Sequence, residues 1–212
     1  MDAWAIPKSI PELKRAPAAG RLHAALMLPT AISDLSSTCI ASVKATLQIE
    51  LDYSPEMLPL LDHYAKTVLD SPEEEIMQLT APLCGAYFGE TLRRALPKSR
   101  WHAPKGEHAD WRLEFENVFL YFNPVGIALD VILEAEGPYE SHLGTRDGDA
   151  DVVKHALGLF GHARETDFYS FALNYEVIEQ VVMSLARQSS GERFDAKAYE
   201  THRQARRRAT MH

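Results

Sequence analysis

A chain of 212 residues with 46% hydrophobic and 25% charged side chains has the composition of a folded domain that buries a substantial core, which excludes disordered, collagen-like and coiled-coil organisation. Its net charge of −8 is unevenly placed: residues 51 to 150 hold 18 acidic against 8 basic side chains, and the flanking stretches are each close to neutral. Such a balance excludes a broad phosphate-binding face, because recognition of a nucleic-acid backbone needs clustered cations.

Residues 1 to 21 are rich in Pro, Ala and Lys/Arg and read as an irregular arm, with Trp4 and Ile6 available to dock on the body. The main domain is expected over 22 to 190, followed by a C-terminal helix with a basic tail over 191 to 212. The apolar run from Leu22 to Ile32 contains Pro29 and is too short to span a bilayer, so no membrane association is expected. Cys39 and Cys84 show neither metal-ligand nor disulfide-framework spacing, which places the protein in a reducing, cytoplasmic setting.

Ser54-Pro55-Glu56 starts a helix, with Ser at the cap, Pro at the first position and Met57, Leu61, Tyr64, Ala65 and Val68 on one face. Ser71-Pro72-Glu73-Glu74 repeats the device as a capping box and opens a second helix, giving a helical hairpin. Its stripe carries Ile76, Leu79, Leu83 and Tyr87 beside Cys84, Phe88 and Leu92, and Pro82 should kink or interrupt it.

After Pro97 the hydrophobic period changes from 3.6 to 2. Trp111, Leu113 and Phe115 alternate with Arg112, Glu114 and Glu116, the pattern of a strand with one wet face, and Val118 to Phe122 reads as a more buried strand. Glu116-Asn117 suits a two-residue turn between them, and Arg100 to Ala103 can add a third strand. Asn123-Pro124 starts the next helix, with Val125, Ala128, Leu129, Ile132 and Leu133 inward. Gly137 to Gly148 reads as a loop. Asp149 or Asp151 caps the helix of Val152, Val153, Ala156 and Phe160, and Asn174 caps that of Ile178, Val181, Val182 and Leu185. A weaker helix follows Asp195. The expected class is α+β and helix-rich: six or seven helices packed on a small two- or three-stranded antiparallel sheet.

The runs LDYSPEMLPLLD (51 to 62) and GAYFGETLRR (85 to 94), with Arg100-Trp101, resemble a group of uncharacterised bacterial proteins. These share an LDYSPESL-like helix start and a GAYLGE-like helix followed by a Trp-bearing strand. The resemblance extends over Leu51 to Arg187 and implies a cytoplasmic α+β domain, with no activity, substrate or cofactor attached.

Gly85, Ala86 and Gly89 give the second helix a small-residue face for close packing against the sheet or the Pro124 helix. A buried Glu90 beside that face would need a partner, and Arg93, Arg94 or the Trp101 indole can supply one. His102, Glu107 and His108 offer three metal-ligand types on a Pro/Gly loop, a poor frame for a metal, so no metal site is expected. Asp147, Asp149 and Asp151 lack the Gly and Glu of a calcium loop. His155 and His162 are expected to face solvent. No GxSxG, P-loop, GxGxxG or HExxH motif occurs, and no cofactor is implied.

The favoured reading is a non-enzymatic binding or accessory protein that engages a protein partner through an acidic, aromatic surface. Tyr87, Glu90, Arg93, Trp101, Trp111 and Glu114 are its candidate binding residues. The alternative is an enzyme with Glu90 and a loop histidine in a cleft. The tail cations His202, Arg203, Arg206, Arg207 and Arg208 lack interleaved aromatics and favour a helix end over nucleic-acid contact.

Overall fold

The computed structural model describes residues 28–67, 74–96, 98–188 and 194–210. The arm expected over 1 to 21 and the capping box at Ser71-Pro72-Glu73 fall outside these residues. Seven α-helices and a four-stranded antiparallel sheet are present among them. The class is therefore α+β and helix-rich, as the sequence indicates, with four strands where two or three are expected.

Helix α1 (Thr30–Leu47) has no counterpart in the sequence reading. Its buried stripe is Ile32, Ser36, Cys39 and Val43, and only two of those four are strong apolar markers, so the helical period is muted. Thr38 and Thr46 hydroxyls return to the carbonyls of Asp34 and Ser42 one turn back, which lets poor helix formers sit in a helix.

A 3-10 turn at Pro55–Met57 leads into α2 (Leu58–Thr67), which buries Leu58, Leu61, Tyr64 and Ala65. Ser54 is extended as a cap should be but makes no side-chain cap bond; Asp52 Oδ1 instead accepts from the Ser54 N–H. Helix α3 (Glu74–Ala95) runs through Pro82 without interruption. Its inward stripe is Ala81, Cys84, Tyr87, Phe88 and Leu92, whereas Leu79, assigned to that stripe from its spacing, is 72% exposed.

The sheet is a meander in the order β1 (Ser99–His102), β2 (Arg112–Phe115), β3 (Leu120–Phe122) and β4 (Gly144–Thr145). Trp101 pairs with Leu113, Leu113 with Phe122, Arg100 and Tyr121 with Glu114, and His102 with Arg112. Strand periodicity then fixes two faces. Trp101, Leu113, Phe115, Leu120 and Phe122 point toward α3 and α4 (Pro124–Leu133). Arg100, His102, Arg112, Glu114 and Tyr121 point the other way. The expected two-residue turn at Glu116-Asn117 is a four-residue connection, 116 to 119, because the Glu114–Tyr121 register leaves Val118 and Phe119 outside the ladder. Strand β4 arises within the expected loop, and Gly144 is required there: a Cβ would sit 2.3 Å from the Tyr121 ring.

Helix α4 begins as its sequence indicates, with Asn123 Oδ1 accepting from the N–H groups of Val125 and Gly126. Helices α5 (Ala150–Gly158), α6 (Phe171–Gln188) and α7 (Ala196–Thr210) follow. Asp149 occupies the α5 cap position without a side-chain bond. The cap of α6 differs from expectation. Asn174 lies inside its first turn, and the exposed N–H groups of Phe171 and Ala172 are taken by the Asp62 carboxylate of α2 at 2.6 and 3.2 Å. Burial pushes the Asp62 carboxyl up from its ordinary value, and those two N–H donors pull it back.

Helices α3 and α4 pack backbone to backbone at Gly85, where a Cβ would lie 2.7 Å from Val125 Cα and 2.9 Å from the Pro124 carbonyl oxygen. Neither atom can rotate away. Gly85→Ala should therefore cost about 1–3 kcal/mol, lowering Tm by roughly 2–4 °C per kcal/mol in a thermal melt. Gly158→Ala, with open space at its Cβ, should leave Tm unchanged or slightly higher.

Candidate functional site

Alternation in β2 makes its second face polar, yet all four of its residues are buried. The cover is α7, which returns from the C-terminus to lie across Arg100, His102, Arg112, Glu114 and Tyr121. Glu114 is fully buried. It accepts from Arg100 Nε and Nη2 at 3.0 and 2.9 Å on one oxygen and from Arg112 Nε at 2.7 Å on the other. Arg112 reaches on to Glu200 of α7 at 3.1 Å. Charges removed from water this far are retained only when paired in this way. Arg112 Nη1 is buried without an acceptor, a deficit a purely structural core tends to avoid.

Tyr199 is the centre of the contact. Its hydroxyl lies 2.5 Å from the Phe115 carbonyl oxygen and 2.8 Å from that of Val118, and accepts from the Leu120 N–H at 3.3 Å. Its ring stacks on Phe119, with centroids 4.3 Å apart, and on Phe194. Burial drives the phenol far above its usual range, so it is a permanent donor. Arg203, one turn on, reaches Asp110 at 2.7 Å and the Ala109 carbonyl at 3.0 Å. Arg206 pairs with Glu140 and the Leu143 carbonyl, and Arg207 also reaches Asp110. His202 bonds the Tyr121 hydroxyl at 3.1 Å. Spacings of four, seven and eight residues from Tyr199 place the three arginines on one side of the helix.

The second face of the sheet thus carries Glu114 paired with Arg100 and Arg112 beside Tyr121, with Asp110 and Glu140 at its margin, and a basic helix of the same chain occupies it. The six candidate residues do not form it together. Tyr87 is buried under Tyr53, whose N–H its hydroxyl accepts at 2.9 Å, and burial pushes its phenol up to about 12. Glu90, also fully buried, is gripped by Arg93 Nε and Nη2 at 2.7 and 3.0 Å and by Trp101 Nε1 at 2.9 Å, with Arg94 at 3.5 Å. Trp101 fits there because Gly89 has no Cβ; one would lie 2.2 Å from the indole. Trp111 is 5% exposed and donates to the Pro104 carbonyl. Of the six, Arg93 and Trp101 alone are half-exposed, and Glu114 faces away from the other five. As a surface, the set is corrected: an alternating strand looks half wet only until its second face is covered.

The alternative of a catalytic Glu90 with a loop histidine also meets this geometry. Glu90 lies eight residues beyond Pro82 on α3, about 12 Å along the axis, and Pro82 lines the cleft that His108 borders. Between Glu90 and His108 stand the Trp101 and Trp111 indoles, packed edge to face. Among the described residues, no group of three or more His, Cys, Asp or Glu side chains converges as a metal site. His155 and His162 are exposed, as expected. Sequence reasoning missed Asp110, Arg112, Tyr199 and Glu200. The available signal was Tyr199 in spacing with Arg203, Arg206 and Arg207 on an otherwise polar helix.

No helix among the described residues is long and apolar enough to cross a membrane. No family model, no curated protein and no solved structure matches the chain.

Tyr199→Phe keeps the ring stack and deletes the hydroxyl bonds, so stability should fall by about 1–2 kcal/mol in urea unfolding. Asp110 is held below its ordinary value of 3.8 first by its hydrogen bond from Arg203, and Glu200 below 4.5 first by Gln204 and then by Arg112. A carboxylate with a depressed pKa favours the docked state above its undocked value. Helix α7 should therefore keep its amide protection from pH 7 down to pH 5. Protection should then fall as the pH drops below the ordinary carboxylate values, as read by hydrogen exchange of residues 196 to 210.

Proposed function

We propose that this protein is a non-enzymatic binding or accessory protein that receives a basic amphipathic helix of a protein partner on the acidic, aromatic face of its sheet. In the free state its own helix α7 holds that face. The observation that carries this reading is the docking of α7 itself. A helix with Tyr at one position and Arg four, seven and eight residues later finds a carbonyl-lined seat for the phenol and Asp110 and Glu140 for the guanidiniums. Its hold is polar: Tyr199 and Arg203 are its buried side chains among the described residues, so little apolar area opposes exchange for a competing helix.

A bacterial, cytoplasmic setting belongs to the same proposal, supported by the two free thiols in the core and by the motif resemblance at 51 to 62 and 85 to 94. Nucleic acid is left out of it, since Arg203, Arg206 and Arg207 are engaged within the chain.

The test is binding in trans of a fluorescein-labelled peptide of residues 194 to 210, followed by anisotropy. A tethered helix competes at an effective concentration on the order of mM. Wild-type protein should therefore bind the peptide at least tenfold more weakly than the double variant Tyr199→Ala, Arg203→Ala, whose own helix is released. Adding Asp110→Asn to that variant should weaken the peptide again. A released variant that keeps its far-ultraviolet circular dichroism outside α7 and still fails to bind the peptide would exclude this reading.

A further inference from the structure

A second concavity lies on the opposite side of the sheet. Its floor is Met77, Ala81 and Pro82 of α3 with Val125 and Leu129 of α4, and its open volume, including the mouth, is about 1350 Å³. Residues 107 and 108 close one side, and Pro138 with Tyr139 closes another. Leu79, on the turn of α3 between Met77 and Pro82, is the most exposed large apolar side chain among those described. The floor offers aliphatic contact and no charge.

The rim adds a definite chemistry. Glu107 is exposed and, among the described residues, its carboxylate has neither an ion pair nor a hydrogen-bond partner. His108 beside it is fixed: its ring packs edge-on to Trp111 at 4.4 Å, and its carbonyl accepts from Asn123 Nδ2 at 3.0 Å. Burial lowers the imidazole pKa, leaving a neutral ring with one nitrogen able to accept a proton-donor contact at pH 7. Glu107 is the one acid in the groove lining, and the nearby Glu134 and Glu140 are paired with Lys66 and Arg206. One unmatched carboxylate and one neutral imidazole at the edge of an aliphatic floor complement a cation that carries an apolar tail.

We propose that the groove between α3 and α4 binds a small primary amine with an aliphatic body, its ammonium between Glu107 and His108 and its tail on Ala81, Pro82 and Leu129. The groove shares its rim with the turn that carries Ala109 and Asp110, yet its binding is read at Met77, Leu129 and Tyr139, so either proposal can fail alone.

The probes are hexylammonium, 1-hexanol and hexanoate, which share a tail and differ in the charge of the head. They are titrated into the full chain with methyl and amide NMR shifts of Met77, Leu129 and Tyr139 as the readout. Hexylammonium should bind at least fivefold more tightly than 1-hexanol, and hexanoate more weakly than either. Glu107→Gln alters an exposed side chain and should erase the preference for hexylammonium while leaving 1-hexanol binding within twofold. Equal binding of hexylammonium and hexanoate, an unchanged preference in Glu107→Gln, or no shifts at the three reporter residues would each overturn the proposal.

Discussion

A carboxylate closed off from water at Glu114 stays in place because two guanidiniums grip it, one from the neighbouring strand β1 and one from its own strand. Arg112 cannot complete that grip and remain wet. It is buried too, and it extends the network to Glu200 on the C-terminal helix. Removing Glu114 would leave the buried Arg112 without its buried partner, at a cost of about 3–5 kcal/mol. Strands β1 and β2 are thus locked together by the buried pairs, while α7 and the loop carrying Asp110 join them through part-exposed carboxylates.

The other side of the sheet obeys a different rule. There the contacts are steric, and α3 supplies them through the absence of side chains. Gly85 lets the start of α4 touch the helix backbone, and Gly89 seats the Trp101 indole. Once seated, that indole places its N–H on Glu90, and Arg93 closes the ion pair from one helical turn away. Two buried glutamates therefore flank the sheet, Glu90 from α3 and Glu114 from β2. Both are met by several donors, Glu90 by Arg93 and Trp101 and Glu114 by Arg100 and Arg112. Most of the motif segments 51 to 62 and 85 to 94 serve this junction: Tyr53 stacks on Tyr87, and Arg94 lies over the Tyr53 ring at 3.5 Å.

Function follows from what each side leaves available. The polar face is occupied by a helix of low apolar content, held by one phenol and several arginines, and the proposed exchange for a partner helix rests on that. The groove between α3 and α4 keeps an aliphatic floor and an unmatched carboxylate. The clustered aspartates Asp147, Asp149 and Asp151 take part in neither, and of the loop histidines only His108 borders the groove.

The sequence alone determined what is local. Asn123-Pro124 starts a helix because an amide side chain can reach two N–H groups within three residues, and the strand expected over Arg100 to Ala103 is found at Ser99–His102. Glu90 needed Arg93 or Trp101 as soon as it was buried, and both are there. Tertiary structure decided everything that rests on distant partners. Helix α1 went unseen because its stripe contains a serine and a cysteine whose burial depends on α3. The α6 cap was misplaced because its acceptor, Asp62, lies 109 residues from Phe171. Glu114 and Arg112 read as solvent-facing because strand alternation reports a difference between two faces, and only a helix arriving from Tyr199 decides whether the polar one meets water or protein.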